Sequence, residues 1–347
     1  MKELDKGNMV GALLIDLSKA FDTISHQQLL KELMGINVDS STISFFRSYL
    51  TGRAQRVVSD QFTTDWCSVG RGIPQGSCLS PLLFNIYVRE FPYDDSNDDN
   101  TLQYADDATH SVVGKSAEEI GQKLAERFKK TKEFCLDHGL TLTTSKTNLI
   151  IFKQPSKKIP PNFEICLDGV NLTPLKEVKL LGVVLDRHLT FASHIEQTVC
   201  KARGLLGILR RACKWLPKEL TLLAYQAIIR SNLEYASALF IGVSKTHNEK
   251  LERLQRVAAR IVCGAERDAH AEPLLISLGL QTLATRRKER VVEILESIIK
   301  GDCHPALLEL VEFSDVFEDK LVVQKARTAV GSRRFSVAGA IAFNEKS

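Results

Sequence analysis

No run of apolar residues in this 347-residue chain approaches the roughly 20 that a membrane-spanning helix requires, so no membrane partner is expected. The N-terminus, Met1-Lys2-Glu3-Leu4-Asp5-Lys6-Gly7, lacks the charged-then-apolar order of a secretory signal. That points to an intracellular protein, nuclear or cytoplasmic. The eight cysteines, at 67, 78, 135, 166, 200, 213, 263 and 303, include no C-x-x-C pair, and no histidine stands at zinc-ligand spacing from two of them. A secreted disulfide scaffold is shorter and denser in cysteine, so reduced thiols and no disulfide-linked partner are expected. A deficit of apolar residues, the mark of a disordered chain, is missing too: 44% are hydrophobic and 25% charged.

What is present is an uneven distribution of charge. The chain carries only +4 overall, yet residues 200–290 hold 17 Lys/Arg against 8 Asp/Glu, which is +9, leaving −5 for the remainder. A basic module beside a mildly acidic one fits a polyanion partner next to a carboxylate site. On charge alone, a basic helical domain with a solvated face explains it equally well.

The first half alternates strand-like and helix-like patterns. Val10 to Leu17 reads as a buried strand carrying Asp16 near its end. Ser25 and Gln28 have capping-box spacing ahead of a helix with Leu29, Leu30 and Leu33 on its apolar side. Arg53 to Val58 and Trp66 to Val69 read as short strands, and Gly72-Ile73-Pro74-Gln75-Gly76 as a loop. Ser80-Pro81 is expected to cap and open a helix whose core side is Leu82, Leu83, Ile86 and Tyr87. The acidic run Asp94 to Asp99 lacks the Gly and closing Glu of a calcium loop. Leu102 to Tyr104 and Thr109 to Val113 read as strands joined by a tight turn at Asp106-Asp107. Ser116 and Glu119 form a second capping box, opening a helix that runs to Gly139, and Leu149 to Phe152 is a further strand.

After a proline- and lysine-rich loop at 153–161 and a strand signal at Val178 to Leu185, the pattern becomes helical. Ile195, Val199, Ala202, Leu206 and Leu209 share one helix face, as do Leu251, Leu254, Ala258 and Ile261. Arg253, Arg256 and Arg260 line another face, where they could track a phosphate backbone or simply meet water.

The chemistry resides in carboxylates. Asp16 ends an apolar strand and Asp106-Asp107 lies between two others. Acidic groups held together repel unless a cation joins them, and magnesium is the hard cation that oxygen ligands favour. Such a group suits two-metal phosphoryl transfer, with no His or Cys required. A Tyr-x-Asp-Asp tetrapeptide alone arises by chance in roughly a few per cent of chains this long, and Asp-Asp is also good turn chemistry.

Three motifs in order narrow the choice. Leu14-Ile15-Asp16-Leu17-Ser18-Lys19-Ala20-Phe21-Asp22, then Gly72-Ile73-Pro74-Gln75-Gly76-Ser77 with Leu79 to Phe84, then Tyr104-Ala105-Asp106-Asp107 resemble palm motifs A, B and C of reverse transcriptases. The wording is closest to LINE-type, jockey-like non-LTR retrotransposons, including the Asp-Thr-Ile-Ser-His continuation at 22–26. Lys176 to Asp186 resembles the primer-grip hairpin, and the stretches around Leu233-Glu234-Tyr235-Ala236 and Leu251 to Arg260 resemble the tail of these open reading frames.

The resemblance implies an α+β fold: a palm built on an antiparallel sheet with helices on one face, followed by a mainly helical thumb-like region. It divides the chain into a palm with partial fingers at 1–155, a connection with the primer-grip-like hairpin at 156–190, and a helical region at 191–347. It implies an RNA-directed DNA polymerase that transfers a nucleotide from dNTP to a primer 3′-OH, with an RNA template, a DNA primer and two Mg²⁺ ions, for which Mn²⁺ could substitute. By motif position Asp16, Asp106 and Asp107 would be catalytic and hold metal, with the Leu17 carbonyl completing one coordination sphere. Phe21 would be the steric gate against a ribose 2′-OH, and Gln75 and Gly76 would border the nascent base pair. Lys146 would protonate pyrophosphate, and Leu181 and Gly182 would form the primer-grip tip. Arg203, Arg210, Arg253, Arg256 and Arg260 are candidate backbone contacts. The resemblance also implies a chain shortened at its N-terminal side, without the family's fingers strands or endonuclease. The alternative is an inactive retroelement remnant that at most binds nucleic acid.

Overall fold

The computed structural model describes residues 1–93, 100–314 and 320–346, in two compact units: Asn8–Lys176, and Met1–Gly7 together with Glu177–Ser347. The acidic run at 94–99 lies outside the described residues.

After a one-turn helix, α1 (Lys2–Asp5), the chain enters β1 (Met9–Ser18), the central strand of the first unit's sheet. Leu13, Ile15 and Leu17 alternate into the core, as period-2 patterning requires. Short α2 (Ala20–Thr23) and then α3 (His26–Gly35) and α4 (Ser40–Leu50) follow. Ser25 Oγ accepts from the Gln28 amide as expected, but the Gln28 side chain donates onward to Glu32 at 2.7 Å instead of returning to the cap. An exposed ribbon of β2 (Ala54–Gln55) and β3 (Cys67–Ser68) comes next, and the Arg56 guanidinium lies over the Trp66 ring.

Helix α5 (Ser80–Tyr87) corrects the sequence expectation at two points. Its N-cap is Leu79, and the Ser80 hydroxyl donates instead to the Pro74 carbonyl at 2.5 Å. Leu82 is exposed, while Leu83, Phe84 and Tyr87 form the core side. Ile86 is partly buried against the same core, so Leu82 alone of the expected core side faces outward.

Strands β4 (Asn100–Tyr104) and β5 (Asp107–Gly114) form a hairpin whose turn is Ala105-Asp106, one residue earlier than expected, so Asp107 is already in the ladder opposite Tyr104. Ala105 adopts a left-handed φ of 52°. Helix α6 (Ala117–Asp137) begins at the Ser116 cap, with Glu119 Oε2 accepting from the Lys115 amide. It lays Ile120, Leu124 and Phe128 on the sheet. Short β6 (Thr141–Leu142) and then β7 (Asn148–Phe152) pair with β1 on the edge away from β5, and a small hairpin, β8 (Ile165–Leu167) with β9 (Val170–Leu172), closes the unit. Every ladder in the main sheet is antiparallel. Each large apolar side chain buried here contributes about 1.5–3 kcal/mol.

The second unit opens with a hairpin, β10 (Glu177–Leu180) and β11 (Val183–Asp186), turning at Leu181-Gly182, and is helical thereafter. Helix α7 (Ala192–Ala212) buries Ile195, Val199, Ala202, Leu206 and Leu209. Helix α8 (Lys218–Ala224) continues through a π-helical turn at Tyr225–Arg230 into α9 (Ser231–Glu234). Helix α10 (Lys245–Val262) buries Leu251, Leu254, Ala258 and Ile261 against α7. Then come α11 (Ala271–Ser277), α12 (Leu283–Lys300), α13 (Ala329–Ser332) and α14 (Phe335–Lys346). Asp5 of α1 belongs to this unit: its carboxylate accepts from the Thr328 hydroxyl at 2.7 Å and the Arg327 amide at 3.0 Å.

Candidate active site

The β1–β5 register places Asp16 directly opposite Asp107, with Asp106 in the adjoining turn. Paired residues in an antiparallel ladder have Cα atoms about 4.5–5.5 Å apart, so three carboxyls from two distant stretches of chain share one end of the sheet. Asp107 responds electrostatically: burial, then the charges of Asp106 and Asp16, push its carboxyl above the ordinary range. Asp16 Oδ2 is buried and receives no hydrogen bond. Its compensation is Coulombic, from the Lys146 ammonium 3.3 Å away.

Local structure explains how Lys146 arrives there. Leu17 pairs with Leu142, the Asp16 carbonyl accepts from the Thr143 amide at 3.2 Å, and a 3-10 turn over Thr144–Lys146 swings the lysine back towards β1. Leu17 itself buries its side chain, leaving only backbone to offer beside Asp16.

Motif B interlocks with the segment after β1. The Gly72 amide donates to the Ile24 carbonyl at 2.8 Å, and the Ile73 amide to the Phe21 carbonyl at 2.9 Å. Gly72 has φ +80°, and a Cβ there would stand 2.8 Å from the Asp22 backbone, so this is where glycine permits close approach. Gly76 has open space around it and is needed for its φ of +83°. Gln75 Nε2 donates to Asp22 Oδ1 at 2.9 Å, and Tyr49 and Ser77 share a hydroxyl contact of 2.8 Å.

These pieces border a cavity of about 580 Å³ lined in part by Lys19, Phe21, Gln75, Gly76, Cys78 and Asp106. Phe21 stacks on Phe84 with centroids 4.6 Å apart, which fixes its ring at the rim. Asp106, Phe21, Gln75 and Gly76 thus share one cavity. Lys19 was missed from sequence; its left-handed φ of 50° turns the chain from β1 into α2 and aims it inward. His110, the only histidine near the aspartates in sequence, is a core residue: its nitrogens meet the Thr101 and Thr131 hydroxyls at 2.9 and 2.7 Å, and burial lowers its pKa to about 4.

Among the described residues no three His, Cys, Asp or Glu side chains are spaced to hold a metal ion unaided. A hard divalent cation that keeps several waters and uses one or two carboxylates still fits. The orphaned Asp16 Oδ2 and the repulsion felt by Asp107 are the groups it would relieve.

Motifs A and C lie on neighbouring strands of one antiparallel sheet, with motif B in the loop and helix between them in sequence, and the profile of the family described as "Reverse transcriptase (RNA-dependent DNA polymerase)" matches residues 2–185. The chain belongs to the reverse transcriptase family. Its similarity to jockey-like elements also holds. It is 24% identical over 270 residues to a probable RNA-directed DNA polymerase from transposon X-element of Drosophila melanogaster, covering 76% of this chain and 29% of that protein. It is 23% identical over 318 residues to the RNA-directed DNA polymerase from mobile element jockey of Drosophila funebris, covering 88% and 34%. The chain therefore spans about a third of the length of these curated relatives. A solved telomerase from Candida tropicalis, in complex with a TWJ fragment of telomeric RNA, is 14% identical over 80% of this chain and 50% of that one, with a TM-score of 0.41. At that score the likeness carries no structural argument.

The matched residues 2–185 take in the whole main sheet and nearly all of the β10–β11 hairpin, and the mainly helical region follows them. In the second unit, the Leu181-Gly182 tip has two left-handed residues, φ 45° and 82°. The Tyr235 hydroxyl donates to the Leu181 carbonyl at 2.7 Å, and its ring lies beside Gly182. Of the five arginines singled out, Arg210, Arg253 and Arg260 line one cavity. Arg256 instead pairs with Glu249 of its own helix, and Arg203 lies exposed on α7 outside that cavity.

Proposed function

We propose that the Asn8–Lys176 unit is a palm for two-metal nucleotidyl transfer from dNTP to a primer 3′-OH on an RNA template. The observation that carries this reading is the Asp16–Asp107 opposition with Asp106 in the turn, beside a cavity bounded by Phe21, Gln75 and Gly76. Asp16 and Asp106, supported by Asp107 and the Leu17 carbonyl, would hold two Mg²⁺ ions. When bound, these ions supply charge neutralisation for the attacking and leaving oxygens. Phe21, braced by Phe84, narrows the rim where a sugar 2′ position would sit. Gln75 is oriented by Asp22, so one amide face is fixed and the other remains for a base pair. Lys146 holds a proton beside Asp16 and can deliver it to a departing pyrophosphate oxygen.

The test is primer extension by the full chain on an RNA template with Mg²⁺ and labelled dNTPs, beside Asp106→Asn. Incorporation by wild type, and loss of at least about 10³-fold in the variant with an unchanged circular dichroism spectrum, is expected. Equal rates in the two proteins would overturn the assignment. A folded wild type that binds oligonucleotide without incorporating label would leave only the binding remnant.

A further inference from the structure

Around the C-terminal ends of α7 and α10 lies a cavity of about 680 Å³ lined by Arg210, Arg253, Arg260 and Arg267, with Val257 and Cys213 among its other walls. No Asp or Glu is among its lining residues. Four guanidinium groups around one concavity repel one another, and a low-dielectric wall strengthens that repulsion. Arg260 is anchored by donating Nε–H to the Ala269 carbonyl at 2.7 Å. Among the described residues, Arg210, Arg253 and Arg267 have no carboxylate partner, in contrast to Arg256, which Glu249 neutralises. Glu266 and Asp268 flank Arg267 in sequence but do not line the cavity.

Two residues beyond Cys213 stands Trp215, 88% exposed, more than any other large hydrophobic side chain among the described residues. It is preceded by Lys214 in the turn that ends α7. An uncovered indole costs solvation free energy unless a flat partner covers it. Unpaired nucleobases offer such a face, whereas the bases of an intact duplex are stacked on each other.

We infer that the Arg210, Arg253, Arg260 and Arg267 cavity, together with the exposed Trp215 two residues along the chain from its wall residue Cys213, is a binding site for single-stranded nucleic acid. The guanidinium groups take consecutive phosphates, and Trp215 stacks on an adjacent base. The site stands apart from the palm reading, because it is built wholly from the second unit and contains none of the catalytic aspartates. The RNA of a retroelement is a fitting occupant in chemistry, but the recognition described needs only phosphates and one free base face.

The chain has two tryptophans, so Trp66→Phe leaves Trp215 as the sole indole, excited at the red edge of its absorption where the six tyrosines do not absorb. That variant of the full chain is titrated with oligouridylate of about 12 nucleotides, within the usual range for a single-strand groove, and with a duplex of equal length. Quenching of Trp215 by the single strand but not the duplex is expected. Trp215→Ala should weaken anisotropy-measured binding by about 5- to 150-fold. Arg253→Gln with Arg267→Gln should reduce the slope of log Kd against log salt by about 1.4. Unquenched emission, an unaltered salt slope, or equal quenching by duplex would each overturn the inference. Asp106→Asn should bind and quench like its parent, so failure of polymerisation and failure of this site are read separately.

Discussion

Lys146 holds its ammonium nitrogen 3.3 Å from Asp16 Oδ2, an oxygen that no hydrogen bond reaches. The pair joins the strand of motif A to the turn after β6, two stretches with no local reason to meet. In the proposed reaction this lysine is the proton source for the departing pyrophosphate. Both side chains are substantially exposed, 62% and 41%, so solvent screens the attraction. Lys146→Met should therefore change stability by less than about 1 kcal/mol while slowing primer extension by roughly 10²-fold. Urea titration and single-turnover incorporation check the two halves. A large stability loss with an unchanged rate would make the lysine structural.

Phe21 illustrates a residue with two duties. Its ring stacks on Phe84 in the core and also lines the site cavity. Phe21→Val should raise ribonucleotide use relative to deoxynucleotide use by on the order of 10- to 200-fold, the range for small changes in pocket volume. The lost ring pair should cost about 1 kcal/mol. Competition between labelled rNTP and dNTP measures the first, and a denaturation midpoint the second. Unaltered sugar selectivity would restrict Phe21 to packing.

Tyr235 supports the Leu181-Gly182 tip through its hydroxyl and ring. A leucine held at φ 45° is strained, and such strain persists only where surroundings enforce it. Tyr235→Phe removes one hydrogen bond, worth about 1 kcal/mol, and leaves the ring. The KM for primer–template is expected to rise about fivefold, with kcat at saturation little altered, as steady-state kinetics would reveal. No change in KM would detach the tip from primer binding.

Asp5 ties the N-terminal residues to the second unit. The Thr328 hydroxyl, foremost, and the Arg327 amide hold its carboxyl below the ordinary value of 3.8. A depressed folded pKa contributes stability above 3.8 and loses it as pH falls through the lower folded value. Asp5→Ala should destabilise the protein by about 2 kcal/mol near neutral pH. The gap from wild type should shrink as the medium is acidified below pH 3.8. Guanidinium denaturation across that window checks the sign; a gap that widens on acidification would contradict it.

The order of the three motifs, the capping serines at 25 and 116, the alternation along β1 and the apolar faces of α7 and α10 were legible in the chain. Each depends on neighbours a few residues apart, where backbone period and side-chain chemistry act directly. The same reading misplaced the hairpin turn by one residue and mistook Ser80 for a cap. In both places a tertiary partner overruled local preference: β1 pairs with Asp107, and the Pro74 carbonyl takes the Ser80 hydroxyl.

By itself, then, the sequence determined the family, the catalytic candidates and the kinds of element that carry them. Only the tertiary structure decided that Asp16 faces Asp107, that Lys146 reaches Asp16, that Gly72 packs against the Asp22 backbone, and that four arginines from α7, α10 and the loop after α10 share one concavity. The physical reason is separation along the chain. Local rules govern which element forms, whereas a charge is felt by whatever the ladder register and helix packing bring within a few ångströms.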